Sequence, residues 1–250
     1  MIVLIVDDEP IARAALKEAL ATQGKLKFKD YEDGNAAWQA IDAGLTPAIC
    51  LLDVRMPGLN GVDVLARFRN DLRFKGIPVM LITSMPERNV VVKASALGID
   101  GILIKPIENR QAAGRIFPLL DQFIATLLAS PGKTRQKLNL DHKKYLQTLE
   151  DLLQKGKRTV GLLQGDAGED GLRQALAKMV SMRTTAELLG ANHLVACLDR
   201  AAGLLENPAT QGDGGEGLAA RAAGIVNVGL GLFQDGLDWN GLSFKPAEAE

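Results

Sequence analysis

The chain changes its hydrophobic rhythm near its midpoint. In the first half, short β-rich apolar runs recur at Ile2 to Val6, Leu26 to Tyr31, Ala48 to Leu52, Ile77 to Thr83 and Ile99 to Ile104. Between and after them, near 10–22, 34–43, 61–74, 86–97 and 107–128, apolar residues fall three and four positions apart, the period of a helix. Strands that are almost continuously apolar are buried on both faces, the signature of a parallel sheet covered by helices. The pattern predicts an α/β fold over 1–128: a five-stranded, doubly wound parallel sheet.

After Ser130-Pro131-Gly132 no further β-rich run occurs, and 129–140 reads as a linker. Leu146, Leu149, Leu153, Gly156, Val160 and Leu163 mark one amphipathic stripe, and Leu172, Leu176, Met179, Met182, Ala186 and Leu189 a second. A third helix is expected over Asn192 to Glu206 and a fourth over about Glu216 to Gln234, after the Gly-rich stretch Gln211 to Gly215. Short links between four stripes predict an all-α, antiparallel four-helix bundle over 141–236. The remainder, 237–250, reads as a tail that carries Trp239 and Phe244.

Length and composition agree with two domains: 250 residues, 47% hydrophobic, with 29 Lys+Arg against 30 Asp+Glu. A net charge of -1 advertises neither nucleic acid nor membrane, and 4% aromatics is too few for a base-stacking groove. The apolar run Ile2 to Val6 is followed at once by Asp7, Asp8 and Glu9, unlike a signal peptide. The longest apolar stretch, Leu218 to Phe233, is interrupted by Arg221, Asn227 and three glycines, which suits a packed helix. Cys50 and Cys197 lie far apart within apolar patterns and read as buried free thiols. The expectation is a cytoplasmic chain with no membrane partner.

In open parallel sheets, ligands bind beyond the carboxyl ends of the strands. The residues there are Asp7, Asp8 and Glu9 after the first strand, Asp53 after the third, Thr83-Ser84 after the fourth and Lys105-Pro106 after the fifth. Crowded carboxylates repel one another unless a cation neutralises them, and a hard divalent ion with oxygen ligands, Mg²⁺, fits. With a lysine and a hydroxyl aimed at the same place, the arrangement suits a phosphoryl group, and Asp53 is placed to act as its acceptor. Plainer readings exist for the parts. Asp7-Asp8-Glu9 ahead of Pro10 suits any helix N-terminus, and Lys105-Pro106 any strand-to-helix turn. Gly61 and Gly98 read as serving backbone geometry.

Taken together, Asp7-Asp8, the Asp53-Val54-Arg55-Met56-Pro57 segment followed by Gly61, Thr83 and Lys105-Pro106 match a family motif in order and spacing. Residues 1–128 resemble the receiver domain of two-component response regulators, a flavodoxin-like fold. The resemblance implies that Asp53 is the phosphoacceptor. It implies Mg²⁺ bound by Asp8, Asp53 and the Arg55 carbonyl, with Asp7 acting through water. Lys105 and Thr83 would bind the phosphoryl group, and the Lys105-Pro106 peptide would be cis. One departure stands out: three residues before Lys105, where the family usually carries a switch aromatic, this chain has Ile102. Met85 and Arg55 flank the site.

The stretch from Leu172 to Glu206 is similar to the central helices of histidine phosphotransfer domains, with Leu189-Gly190-Ala191 as the corner that opens the next helix. Counting back from that corner, the phosphorylated His position falls on Val180, the basic position on Arg183 and the small positions on Thr184 and Thr185. Valine carries no phosphoryl group, so the resemblance implies a bundle without its nucleophile. The only histidines, His142 and His193, are expected to be surface or capping residues. Between Lys133 and Arg158 eight Lys/Arg face three Asp/Glu, read as a solvated linker and outer helix face.

The sequence therefore predicts a response regulator phosphorylated on Asp53 by a histidine kinase or phosphotransfer protein. Its output would be protein interaction or homodimerisation through the helical domain. The alternatives are an active relay carrier using His193 or His142, and a DNA-binding regulator working through 133–158.

Overall fold

The computed structural model describes residues 1–22, 24–165, 168–206 and 215–242. Its first half alternates strand and helix: β1 (Ile2–Val6), α1 (Pro10–Leu20), β2 (Lys27–Tyr31), α2 (Gly34–Asp42), β3 (Ile49–Asp53), α3 (Gly61–Asn70), β4 (Val79–Thr83), α4 (Arg88–Ala96), β5 (Gly101–Ile104) and α5 (Asn109–Leu127). The five strands form one parallel sheet in the order β2-β1-β3-β4-β5, the flavodoxin-like arrangement expected. β3 and β4 are buried at every position, as their unbroken apolar runs require, whereas β2, Lys27–Tyr31, lies at an edge and exposes both lysines. Most strand and helix ends differ from the sequence reading by a residue or two, the ordinary uncertainty of a frayed terminus, but α3 stops at Asn70 rather than 74, because Asp71 turns extended.

Local chemistry starts several helices. The Asp33 carboxylate accepts from the backbone N–H groups of Asn35 and Ala36 at the head of α2, and Asn60 caps α3 in the same way through Val62 and Asp63. Pro10 occupies the first turn of α1, where its missing N–H costs nothing. Gly61 lets α3 begin directly against β3: a methyl there would overlap the Asp53 carbonyl oxygen.

The chain divides into two compact units, Met1–Phe123 and Ile124–Glu250, with the division inside α5. The second unit is helical, with α6 (Pro131–Leu138), α7 (His142–Gln164), α8 (Glu169–Leu189), α9 (Asn192–Glu206) and α10 (Gly215–Trp239). α7 packs on α8 and α10, α9 packs on the same two helices, and α6 lies against α8. Among the described residues the unit thus has five helices: α7 to α10 stand where the four were expected, and α6 is additional. The stretch read as linker, 129–140, holds α6, because Pro131 sits in its first turn rather than breaking it and Asn139 closes it in the left-handed conformation. The last helix continues past Gln234 into the presumed tail, since Leu237 is buried and Gln234 bonds Asp238 one turn on. Most of the Gly-rich stretch, 211–214, and Phe244 lie outside the described residues.

The segment Asn109–Leu138 is long and apolar enough to suit a bilayer by length and composition. Its apolar residues Ala112, Ile116, Leu120, Phe123, Ile124 and Leu127 nevertheless recur every three or four positions and are buried within the protein. That is the pattern of an amphipathic core helix, and Arg110, Arg115 and Asp121 occupy other positions along it. Cys50 and Cys197 are buried free thiols, as expected, and burial pushes both up, Cys197 to about 11.

The α8–α9 corner depends on one glycine. Gly190 has φ +70°, the N–H of Ala191 bonds back to the Ala186 carbonyl, and a methyl on Gly190 would overlap Ala129. Gly190→Ala should destabilise the protein by about 1–3 kcal/mol from the backbone conformation alone. Gly203→Ala, at an exposed helical position with open space around it, should stabilise by about 0.5–1 kcal/mol. Urea unfolding of the two variants beside wild type checks both signs.

Candidate functional site

The sheet register brings the predicted residues to one edge. Val6 of β1 pairs with Leu52 of β3, so Asp7 and Asp53 emerge side by side at the carboxyl ends of adjacent strands. Thr83 of β4 pairs with Ile104 of β5, and Lys105 follows, its N–H donating to the Thr83 carbonyl at 2.9 Å. The Lys105-Pro106 peptide is cis, as the family resemblance implies.

Lys105 is the hub of the cluster. Its Nζ lies 3.1 Å from Asp53 Oδ1, 3.0 Å from Asp7 Oδ2 and 3.4 Å from Glu9 Oε2. Both aspartates are buried, while Asp8 is exposed, and carboxylate oxygens of Asp7, Asp8 and Asp53 all lie within 4.8 Å of one another. Burial raises the pKa of Asp7 against the opposing pull of the Glu9 N–H and of Lys105. Asp53 is raised too, first by burial, with Lys105 opposing and the charge of Asp7 adding to the rise. For Lys105, burial disfavours the ammonium, but its bonds to Asp7 and Asp53 outweigh that and raise its pKa.

These residues fit a divalent cation. The donors are hard oxygens, and three carboxylates against one ammonium leave a negative site. Asp7 Oδ2 is buried with the ammonium beside it but without an aligned hydrogen bond, a lone pair left for a further partner. Asp8 opens onto a cleft of about 380 Å³ whose lining includes Glu32, Asp33, Asn35, Pro57 and Gly58.

The other predicted residues are placed differently. Thr83 is buried and its hydroxyl is engaged within its own turn, donating to the Met85 carbonyl at 2.9 Å and accepting from the Met85 N–H at 3.2 Å. The Arg55 N–H donates to Asp53 Oδ2 at 2.9 Å, while its guanidinium donates to Ser84 Oγ at 2.7 Å. Ile102 is half-buried in β5, and its carbonyl accepts from Arg115 at 2.8 Å. Met85 is 60% exposed. Sequence reasoning missed Arg13, which donates to the Asp7 carbonyl at 2.6 Å and pairs, together with Lys17, with Asp30. The one available signal was the four-residue spacing of Arg13 and Lys17 on a helix beside the edge strand that carries Asp30.

In the helical unit Val180 stands 59% exposed on α8, and Leu188, two turns on, is 54% exposed. Arg183 pairs with Asp199 at 2.7 Å and Glu187 at 3.2 Å, and the Thr184 and Thr185 hydroxyls bond backbone carbonyls of their own helix. His193, expected at the surface, is buried, because it lies on the inward stripe of α9 with Leu194 and Cys197. Burial, with the charge of Arg200, pushes its pKa down to about 4. His142 is exposed at the first turn of α7.

Raised carboxylate pKa values mean that the folded protein takes up these protons more readily than the unfolded chain. Ionising Asp7 and Asp53 therefore costs stability, increasingly as the pH rises from the usual carboxylate range through their raised values. In EDTA at neutral pH, Asp53→Asn should raise the thermal midpoint by a few degrees. Lys105→Met, which strands buried charges, should cost about 3–5 kcal/mol at neutral pH and less as the pH falls and the carboxylates take up protons. Urea melts at two pH values check the pair.

Comparison with known proteins covers this half of the chain. The response regulator receiver domain family model matches residues 3–116. Chemotaxis protein CheY1 of Helicobacter pylori (strain ATCC 700392 / 26695) is 33% identical over 106 residues, which is 42% of this chain and 86% of that protein. Chemotaxis protein CheY of Pseudomonas aeruginosa is 32% identical over 106 residues, 42% of this chain and 85% of that protein. Similar solved structures include Vibrio cholerae CheY4 (22% identity, TM-score 0.44, 47% of this chain and 97% of that one). Another is a CheY-like receiver domain protein from Methanospirillum hungatei JF-1 (22% identity, TM-score 0.45, 49% and 94%). The whole cluster from Asp7 to Lys105 falls inside the matched residues, and this chain belongs to the response regulator receiver family, signalling modules that take up phosphate on themselves rather than turning over a separate substrate.

Proposed function

We propose that the chain is a cytoplasmic response regulator that accepts a phosphoryl group on Asp53 from a histidine kinase or phosphotransfer protein. It hands the signal on through protein contacts of its helical unit. The observation that carries this reading is the Lys105 ammonium, 3.1 Å from the buried Asp53 within a cluster of three carboxylates.

Asp8, Asp53 and the Arg55 carbonyl would hold Mg²⁺, with Asp7 acting through water. The ion would supply positive charge against the phosphoryl oxygens. An Asp53 oxygen attacks the phosphorus of a phosphohistidine donor, the P–N bond breaks, its electron pair returns to the imidazole, and an acyl phosphate remains on Asp53. Burial makes the attacking carboxylate more basic than a free aspartate, while Lys105 keeps its charged form accessible. Lys105 is held in position by Asp7, so it opposes the gathering charge with little rearrangement. Thr83 reaches the phosphoryl group only by giving up its bond to the Met85 carbonyl.

The helical unit is read as a four-helix arrangement of phosphotransfer type, α7 to α10, with α6 added and the nucleophile replaced by Val180. The exposure of Val180 and Leu188 on one helix supports a docking face for a partner or a second copy. A buried His193 weighs against a relay role for that residue.

A small-molecule phosphodonor with Mg²⁺ should label wild type on residue 53 and leave Asp53→Asn unlabelled. Label persisting in Asp53→Asn would overturn the site.

A further inference from the structure

The loops that follow β3 and β4 are joined beside Asp53 by one side-chain bond. Arg55 lies in the first loop, its backbone N–H against Asp53 Oδ2 at 2.9 Å, and its guanidinium donates to Ser84 Oγ of the second at 2.7 Å. This is a strongly basic group two residues from an acidic cluster, yet its partner is a neutral hydroxyl; the buried carboxylates are taken by Lys105. Among the described residues Arg55 makes no ion pair.

We propose that Arg55 is a phosphoryl-binding residue held in reserve: its guanidinium leaves Ser84 for the phosphoryl oxygens once Asp53 is phosphorylated, and the broken bond frees the Ser84–Met85 segment. The proposal rests on Asp53 being the phosphoacceptor. Arg55 and Ser84 are both exposed, so water competes for each and their bond is easily given up. A phosphoryl group offers acceptor oxygens bearing negative charge, and charge-assisted bonds are roughly twice as strong as neutral ones. A guanidinium, unlike an ammonium, grips two such oxygens at once. The distance is short, because the Arg55 backbone already touches the Asp53 carboxylate.

The consequence falls on one turn. Ser84 lies between Thr83 and Met85, and the Thr83 hydroxyl both donates to the Met85 carbonyl and accepts from its N–H. The Arg55–Ser84 bond and the Thr83–Met85 pair are the side-chain restraints described on the start of this loop. A phosphoryl group on Asp53 competes for Arg55 directly, and for Thr83 if that hydroxyl turns to meet it. Release leads toward Met85, which is 60% exposed, and on to α4.

Beryllium fluoride, a phosphoryl mimic, titrated with Mg²⁺ into the full chain and followed by ¹H–¹⁵N spectra, tests this. Wild type should bind with a shift of the Met85 amide. Arg55→Ala should bind about tenfold more weakly, the order of one lost charge-assisted contact. Arg55→Lys should recover part of the affinity. Ser84→Ala should bind at least as tightly as wild type, with its Met85 amide displaced toward the bound position before any addition. Wild-type affinity in Arg55→Ala, or a Met85 amide that does not move when wild type binds, would overturn the proposal. If wild type fails to bind, or Asp53→Asn binds equally well, the phosphoacceptor assignment fails and the proposal falls with it.

Discussion

A single ammonium makes the acidic edge of this sheet possible. Asp7 and Asp53 are fully or almost fully buried, and burying two like charges on neighbouring strands is unfavourable by several kcal/mol unless something opposes it. Lys105 opposes it from a strand two places away from β3, through a side chain only 12% exposed. The opposition is incomplete: both carboxylates stay above their usual pKa range and one Asp7 oxygen lacks an aligned donor. The folded protein thus carries an unmet demand for positive charge at the place where the sheet delivers its strand ends. A site under this tension has a reason to take up a divalent cation, and with it a phosphoryl group, that a satisfied ion pair lacks.

The rest of the first unit serves this edge. Parallel pairing in register sets Asp7 beside Asp53, and Arg13 fixes the Asp7 carbonyl from α1. Gly61 brings the start of α3 against the Asp53 carbonyl without a clash. Among its described residues the helical unit holds no comparable cluster of carboxylates. On α8, Arg183 is tied to Asp199 and Glu187, and Val180, one turn before it, faces outward. Chemistry is concentrated in one unit, and exposed apolar surface is what α8 of the other presents.

Much of this was legible in the sequence because it depends on period and on strand ends. Unbroken apolar runs gave five parallel strands, and the residue after each run gave Asp7, Asp53 and Lys105. Three features depend instead on packing or side-chain direction, which period does not encode. Pro131 lies in the stretch read as a linker but sits in the first turn of α6. The fourth helix, expected to end near Gln234, runs on to Trp239, with Gly236 inside it letting the helix lie close to Leu127. His193 has the polarity of a surface residue and the stripe position of a core one, and the stripe prevails. At the site, the motif names Thr83 and Arg55 but not their partners. That the Thr83 hydroxyl is engaged by Met85, and Arg55 by Ser84, follows only from the loop conformations.

The central claim is that the buried carboxylates are poised for a divalent cation because Lys105 neutralises them only in part. Calorimetric titration of Mg²⁺ into the metal-free protein tests it most directly. Saturable binding to a single site, lost in Asp8→Asn while that variant stays folded, is the predicted result. Absence of Mg²⁺ binding in wild type, or binding undiminished in Asp8→Asn, would contradict it.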